Sequence, residues 1–144
     1  MFMEFVQEQA LLFVALAVVV GMLVYSYVGD RIAGYKTVGC DEATRLYNDD
    51  AFLLDVRSAG EFKEGYIGEA TNISVTDLNS KLSQLPSDKS QPILTYCLSG
   101  ARSARAAGVL VKNGYTQVYN LSGGINAWKH AGLPVGKSKK NKKK

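Results

Sequence analysis

The stretch Ile93-Leu94-Thr95-Tyr96-Cys97-Leu98-Ser99-Gly100-Ala101-Arg102-Ser103 decides how the rest of the chain is read. Its first four residues form a short, mostly apolar run, as suits a strand buried on both faces of a parallel sheet. From Ser103 to Lys112 the pattern turns helical, with Ser103 as the candidate cap and Gly114 placed to end the helix. A strand, a tight loop and a helix in that order put Cys97 at the carboxyl end of a strand, where open α/β sheets bind ligands. The backbone N–H groups of the loop, Leu98 to Ala101, continued by the helix N-terminus through Arg102 and Ser103, form a cradle for an anion. Gly100 lets the backbone turn without a Cβ clash. Arg102 adds a permanent positive charge with a planar fork of donors. The same field should hold the Cys97 thiol below its ordinary pKa. The bland alternative is a small buried hydrophobe, which a strand, a Gly loop, an Arg and a helix in this order disfavour.

On either side of this stretch the pattern repeats. Asp41 can cap a helix running to about Asn48, and Ala51–Val56 reads as a second buried strand. Thr71–Ile73 is a further short strand. Ser74 or Thr76 can cap a helix carrying Leu78, Leu82 and Leu85, stopped by Pro86. Gln117–Leu121 is the next strand, and Ile125–His130 a final short helix closed by Gly132 and Pro134. Strands alternating with helices at this spacing predict an α/β fold: a parallel sheet flanked by helices on both faces.

The rest of the chain is organised by charge. Of 144 residues, 47% are hydrophobic and the formal net charge is +4, which fits one domain of ordinary size with a real core. Residues 9–29 carry no formal charge, and at about 1.5 Å per residue they reach the ~30 Å of a bilayer core. A transmembrane helix over 9–29 is therefore expected, after a short tail over 1–8 and before a linker over 30–36. A buried core helix would be shorter in so small a chain. A cleaved signal would want a basic start and a small-residue cleavage site, both missing from Met1–Tyr27. Glu4 and Glu8 before the span, against Arg31 and Lys36 after it, place Met1 outside and the 37–136 domain in the cytoplasm. That predicts a single-pass protein of the inner membrane.

Within 37–136 nine basic residues face ten acidic ones, so the positive excess lies in the flanks. Six lysines fall in 137–144, which predicts a disordered tail able to contact anionic lipid. A merely solubilising tail is the alternative. Nucleic acid is not expected as a partner, because no aromatic residues interleave with these lysines.

Beyond this reading of the residues, Cys97–Ser103 resembles the active-site loop C-x-x-G-x-[RT]-S of rhodanese-domain sulfurtransferases. Asp55-Val56-Arg57, Glu61-Phe62, Gly65, Ile67, Ala70 and Asn72-Ile73 resemble the upstream signature of that family. Gly123-Gly124-Ile125, Ala127-Trp128, Gly132, Leu133 and Pro134 resemble its closing signature. With the anchor, the chain is similar to the membrane-tethered, single-domain rhodaneses of bacteria. Tyr66 departs from the pattern, standing where the family usually has His.

The resemblance implies a sulfurtransferase in which Cys97 takes a sulfane sulfur from a donor such as thiosulfate and passes the persulfide sulfur to a thiol or cyanide-like acceptor. It also implies that Arg102 holds the sulfonate end of thiosulfate, or the loop, or both. Asp55, Arg57 and Glu61 read as structural support. Two rivals stand beside this reading. Cys-based phosphatases and arsenate reductases place five residues between Cys and Arg, against four here. A non-catalytic rhodanese-like interaction module would usually have lost the cysteine. Two separated cysteines and one histidine make no metal shell, no nucleotide loop is present, and no cofactor is expected.

Overall fold

The computed structural model describes residues 1–136, the side chains of residues 30–32 excepted; the expected Lys-rich tail, 137–144, lies outside the described residues. The chain divides into two units, 1–33 and the remainder. The first is a single helix, α1 (Phe2–Ala33), which runs through the expected span and past both of its ends. Its segment Phe2–Gly29 is long and apolar enough to cross a membrane, and the large side chains between Leu11 and Val24 are exposed.

The second unit holds a five-stranded parallel sheet in the order β1-β5-β4-β2-β3. The strands are β1 (Lys36–Val38), β2 (Phe52–Asp55), β3 (Thr71–Asn72), β4 (Ile93–Tyr96) and β5 (Val118–Leu121). The helices are α2 (Cys40–Asn48), α3 (Ala59–Glu64), α4 (Ala101–Lys112) and α5 (Gly124–His130). The central β4 is buried along its whole length, which is why its sequence carries no charge and does not alternate between apolar and exposed polar residues.

Alternate residues feed two cores. Leu54, Ile93, Cys97 and Val118 pack with Ala106, Ala107 and Leu110 of α4. Leu53, Leu94, Tyr96 and Leu121 pack with Ala43 of α2 and with Ile125 and Trp128 of α5. Helices thus cover both faces, as the alternation of elements predicts.

Four local expectations change. The segment after Ser74 is not a helix but two 3-10 turns, Leu78–Ser80 and Leu82–Gln84. Asp77 accepts from both the backbone and the hydroxyl of Ser80, at 3.1 and 2.8 Å. Ser74 and Thr76 bond each other at 2.7 Å instead of capping, and Pro86 leaves no room for a longer helix. Leu78 and Leu85 still reach the core. Asp41 is not a cap either: α2 starts at Cys40 behind Gly39, and Asp41 sits in its first turn, where its charge suits the helix dipole.

The short strand β1 is new. Lys-Thr-Val carries no apolar run, and only its pairing with Tyr119–Leu121 of β5 makes it a strand. Helix α3 is new as well, although its capping box is written in the sequence. Ser58 Oγ accepts from the Glu61 N–H, and Glu61 reaches back to the Ser58 N–H.

Candidate active site

β4 ends at Tyr96 and α4 begins at Ala101, so Cys97–Gly100 is a four-residue bridge at the carboxyl edge of the sheet. Gly100 adopts φ 109°, a conformation L side chains rarely take, and serves as the N-cap of α4. Ser103, expected as that cap, lies in the first turn and is fully buried.

The Cys97 side chain is itself buried, yet its sulfur is not left in apolar packing. The Gly100 N–H donates to Sγ at 3.0 Å, and the Ser103 hydroxyl lies 3.4 Å from it. Burial pushes the thiol pKa up. The Ser103 hydroxyl, with the backbone N–H groups of Ser103, Gly100 and Ser99, outweighs that, and the net direction is downward. Alkylation of Cys97 in the full chain should therefore rise with pH through a midpoint below the ~8.5 of a free thiol. A rate that follows an ordinary thiol would show that the loop donors do not reach the sulfur.

Two elements hold the loop in this shape. The start of α5 donates from Ile125 N–H to the Cys97 carbonyl at 2.8 Å, and from Asn126 N–H to the Leu98 carbonyl at 3.2 Å. Gly124 makes this possible. A Cβ there would run into the Cys97 carbonyl oxygen and come within 2.6 Å of the Leu98 carbonyl carbon, and its φ is +59°. The pair Gly123-Gly124, which by itself reads only as a turn, is a close approach of backbone to loop.

The second support is Asn120 of β5, which the sequence did not single out. Its Oδ1 lies 2.5 Å from Ser103 Oγ, and its Nδ2 donates to the Gly100 carbonyl at 3.4 Å. Thr95 adds a bond to the Ser103 carbonyl at 3.2 Å. Nothing in a strand such as Val-Tyr-Asn-Leu marks its one amide, beyond the oddity of a polar residue facing a core.

Arg102 is half-buried beside the loop. Its Nη1 and Nη2 donate to Oε1 and Oε2 of Glu61 at 2.7 and 2.9 Å. Arg102 paired with Glu61, and the Ser58 bonds to the same carboxylate, hold the Glu61 pKa down to about 2 against the opposing effect of burial. The Cys97 sulfur still adds to the field that keeps Arg102 charged.

Asp55 and Arg57 form a separate, buried group. Arg57 Nη2 donates to Asp55 Oδ2 at 2.7 Å and to the Gly65 carbonyl at 2.5 Å. Asn72 Nδ2 closes the group by bonding the Asp55 and Arg57 carbonyls. Tyr96 receives the Ile67 N–H on its hydroxyl at 3.0 Å. Its own pKa is pushed up by burial and then by Asp55. The segment after β2 is thereby tied to Gly65 and Ile67 beyond α3 and to Tyr96 of β4, the residue that precedes Cys97.

Leu98, Ser99 and Ala101 are the exposed part of the loop. Tyr66, in the place of the usual His, stacks on Phe62 at 4.3 Å and pairs its backbone with Gly136. Cys40 packs on the opposite face of the sheet from Cys97. Among the described residues no group of three or more His, Cys, Asp or Glu could hold a metal ion.

A buried sulfur with converging N–H donors, on a loop entering a helix, can stabilise a thiolate or a sulfur anion. Comparison with known proteins agrees with that chemistry. The family profile described as Rhodanese-like domain matches residues 40–131. A sulfurtransferase from Allochromatium vinosum is 38% identical over 87 residues, covering 60% of this chain and 79% of that protein. The thiosulfate sulfurtransferase GlpE of Coxiella burnetii is 34% identical, covering 74% of this chain and 98% of its own length. Among solved structures, a rhodanese-related protein from Thermoplasma volcanium superposes with a TM-score of 0.61 at 32% identity, covering 71% of this chain and 98% of that one. Loop geometry, sheet order and relatives together lead to one statement: the chain belongs to the rhodanese-domain sulfurtransferase family.

Proposed function

We propose that this protein is a membrane-tethered sulfurtransferase that carries a sulfane sulfur as a persulfide on Cys97. The observation that supports it most is the Gly100 N–H at 3.0 Å from Sγ, with the Ser103 hydroxyl beside it. With thiosulfate as donor, the Cys97 thiolate attacks the outer sulfur. The Cys97 S–S bond forms, the S–S bond of thiosulfate breaks, and sulfite leaves with the electron pair. A thiol or cyanide-like acceptor then attacks the outer persulfide sulfur and returns the thiolate, so the cycle is covalent catalysis in two displacements. The loop N–H groups stabilise the anionic sulfur at each stage as fixed dipoles do for oxyanions. Asp55 and Arg57 act as structural support for the loop.

In this reading α1 is a single-pass anchor in the inner membrane, with Met1 outside and the sulfurtransferase domain in the cytoplasm. The Lys-rich tail, 137–144, would add contact with anionic lipid. The reducing cytoplasm suits a free Cys97 thiol.

Mass spectrometry of the detergent-solubilised full chain after thiosulfate treatment tests the chemistry. One added sulfur atom, mapped to Cys97 and removed by cyanide, is the expected result. A Cys97 left unmodified by an excess of thiosulfate and by an excess of an organic persulfide alike would end the proposal.

A further inference from the structure

The cationic side chain of the loop is already spoken for. Both terminal nitrogens of Arg102 are paired with the two carboxylate oxygens of Glu61, the planar bidentate geometry in which Arg binds carboxylates most strongly. Glu61 is fixed from its other side as well. Its Oε1 lies 3.1 Å from Ser58 Oγ and 3.4 Å from the Ser58 N–H, while its own N–H donates to Ser58 Oγ at 3.2 Å. α3 thus delivers a carboxylate to the mouth of the loop and holds it there. Both partners are about a third exposed, the Cys97 sulfur is among the charges that act on Arg102, and the charges of the pair cancel.

This matters for the donor. Thiosulfate brings two negative charges and releases a sulfite dianion. It would have to pull Arg102 away from Glu61 or lie against that carboxylate. An organic persulfide, R–S–SH, brings at most one charge on its sulfurs and releases a singly charged thiolate. Resting on the persulfide reading above, we propose that Glu61 is a specificity-determining residue that turns the site away from dianionic sulfur donors and towards organic persulfides. The step balances: the Cys97 thiolate attacks the outer sulfur of R–S–SH, Cys97–S–SH forms, the S–S bond of the donor breaks, and R–S⁻ leaves with the electron pair.

Glu61→Gln is the decisive variant, because Gln also completes a capping box and α3 is kept while the charge is lost. Initial rates of the detergent-solubilised full chain are measured with cysteine persulfide and with thiosulfate. The native chain should have the higher kcat/KM with cysteine persulfide. In Glu61→Gln the ratio of thiosulfate to persulfide kcat/KM should rise about tenfold, through a lower thiosulfate KM, as expected for removing one exposed charge from the path of a dianion. The rise should shrink at high salt. Glu64→Gln, an exposed carboxylate on the same helix, should change the ratio less than about twofold. Sulfur transfer with an unchanged ratio in Glu61→Gln, or a native preference for thiosulfate, overturns the role of Glu61 and leaves the sulfurtransferase reading standing. Failure of both donors to place sulfur on Cys97 overturns the two together.

Discussion

Replacing Cys97 by serine is expected to lower sulfur transfer from either donor by at least about three orders of magnitude, since a residue that forms the covalent intermediate has no substitute. The hydroxyl is close to isosteric with the thiol and can accept the same Gly100 N–H that now lies 3.0 Å from Sγ. The loop should therefore keep its shape. The buried Trp128 is the only tryptophan of the chain, so its fluorescence reports the folding of this unit alone and should show a urea midpoint close to the native one. Persistence of more than a few per cent of the activity in Cys97→Ser would mean that the sulfur travels by another route.

The largest loss of stability is expected from Asp55→Ala. Asp55 is 0% exposed and Arg57 3%, and the carboxylate accepts from Arg57 Nη2 at 2.7 Å, from its Nε at 3.1 Å and from its backbone N–H at 2.9 Å. Burial disfavours the charge on Arg57 and Asp55 offsets that burial; a guanidinium is so basic that it keeps its proton when the partner goes. Breaking a buried pair on one side typically costs about 3–5 kcal/mol, because an uncompensated charge remains inside. The midpoint of urea unfolding, followed by Trp128 fluorescence, should fall accordingly, with Asp55→Asn losing less. A midpoint that barely moves would show that Arg57 finds water or another acceptor, and that the Asp55–Arg57 pair is not what ties the segment after β2 to Gly65.

How much of this could be read beforehand depends on whether a feature is local. The run Ile93–Tyr96 announced its strand because four consecutive uncharged, mostly apolar residues suit a site buried on both faces. The Gly100 turn and the helix after it followed for the same reason. Features that need a distant partner were silent. β1 is three residues whose only claim to be a strand is β5, some eighty positions away. Arg102 and Glu61 were both noticed, yet their pairing spans 41 positions, and the sulfonate contact expected of Arg102 gave no hint of it. Asn120 is a single amide whose meaning comes from a hydroxyl on another element. The box at Ser58 and Glu61 is different, since its spacing was local and legible.

The pairing of β1 with β5 also fixes an order of events during synthesis. The first strand waits for the fifth to leave the ribosome before it has a neighbour to hydrogen-bond. The clasp of α5 on the Cys97 carbonyl comes later still. A nascent chain thus carries an open sheet edge at β4 until β5 has emerged. Sheets assembled from such distant segments form slowly and expose sticky edges while they wait. Chaperone attendance should accordingly concentrate on chains stalled between β4 and α5, and the sulfur-handling loop matures as the final act of folding.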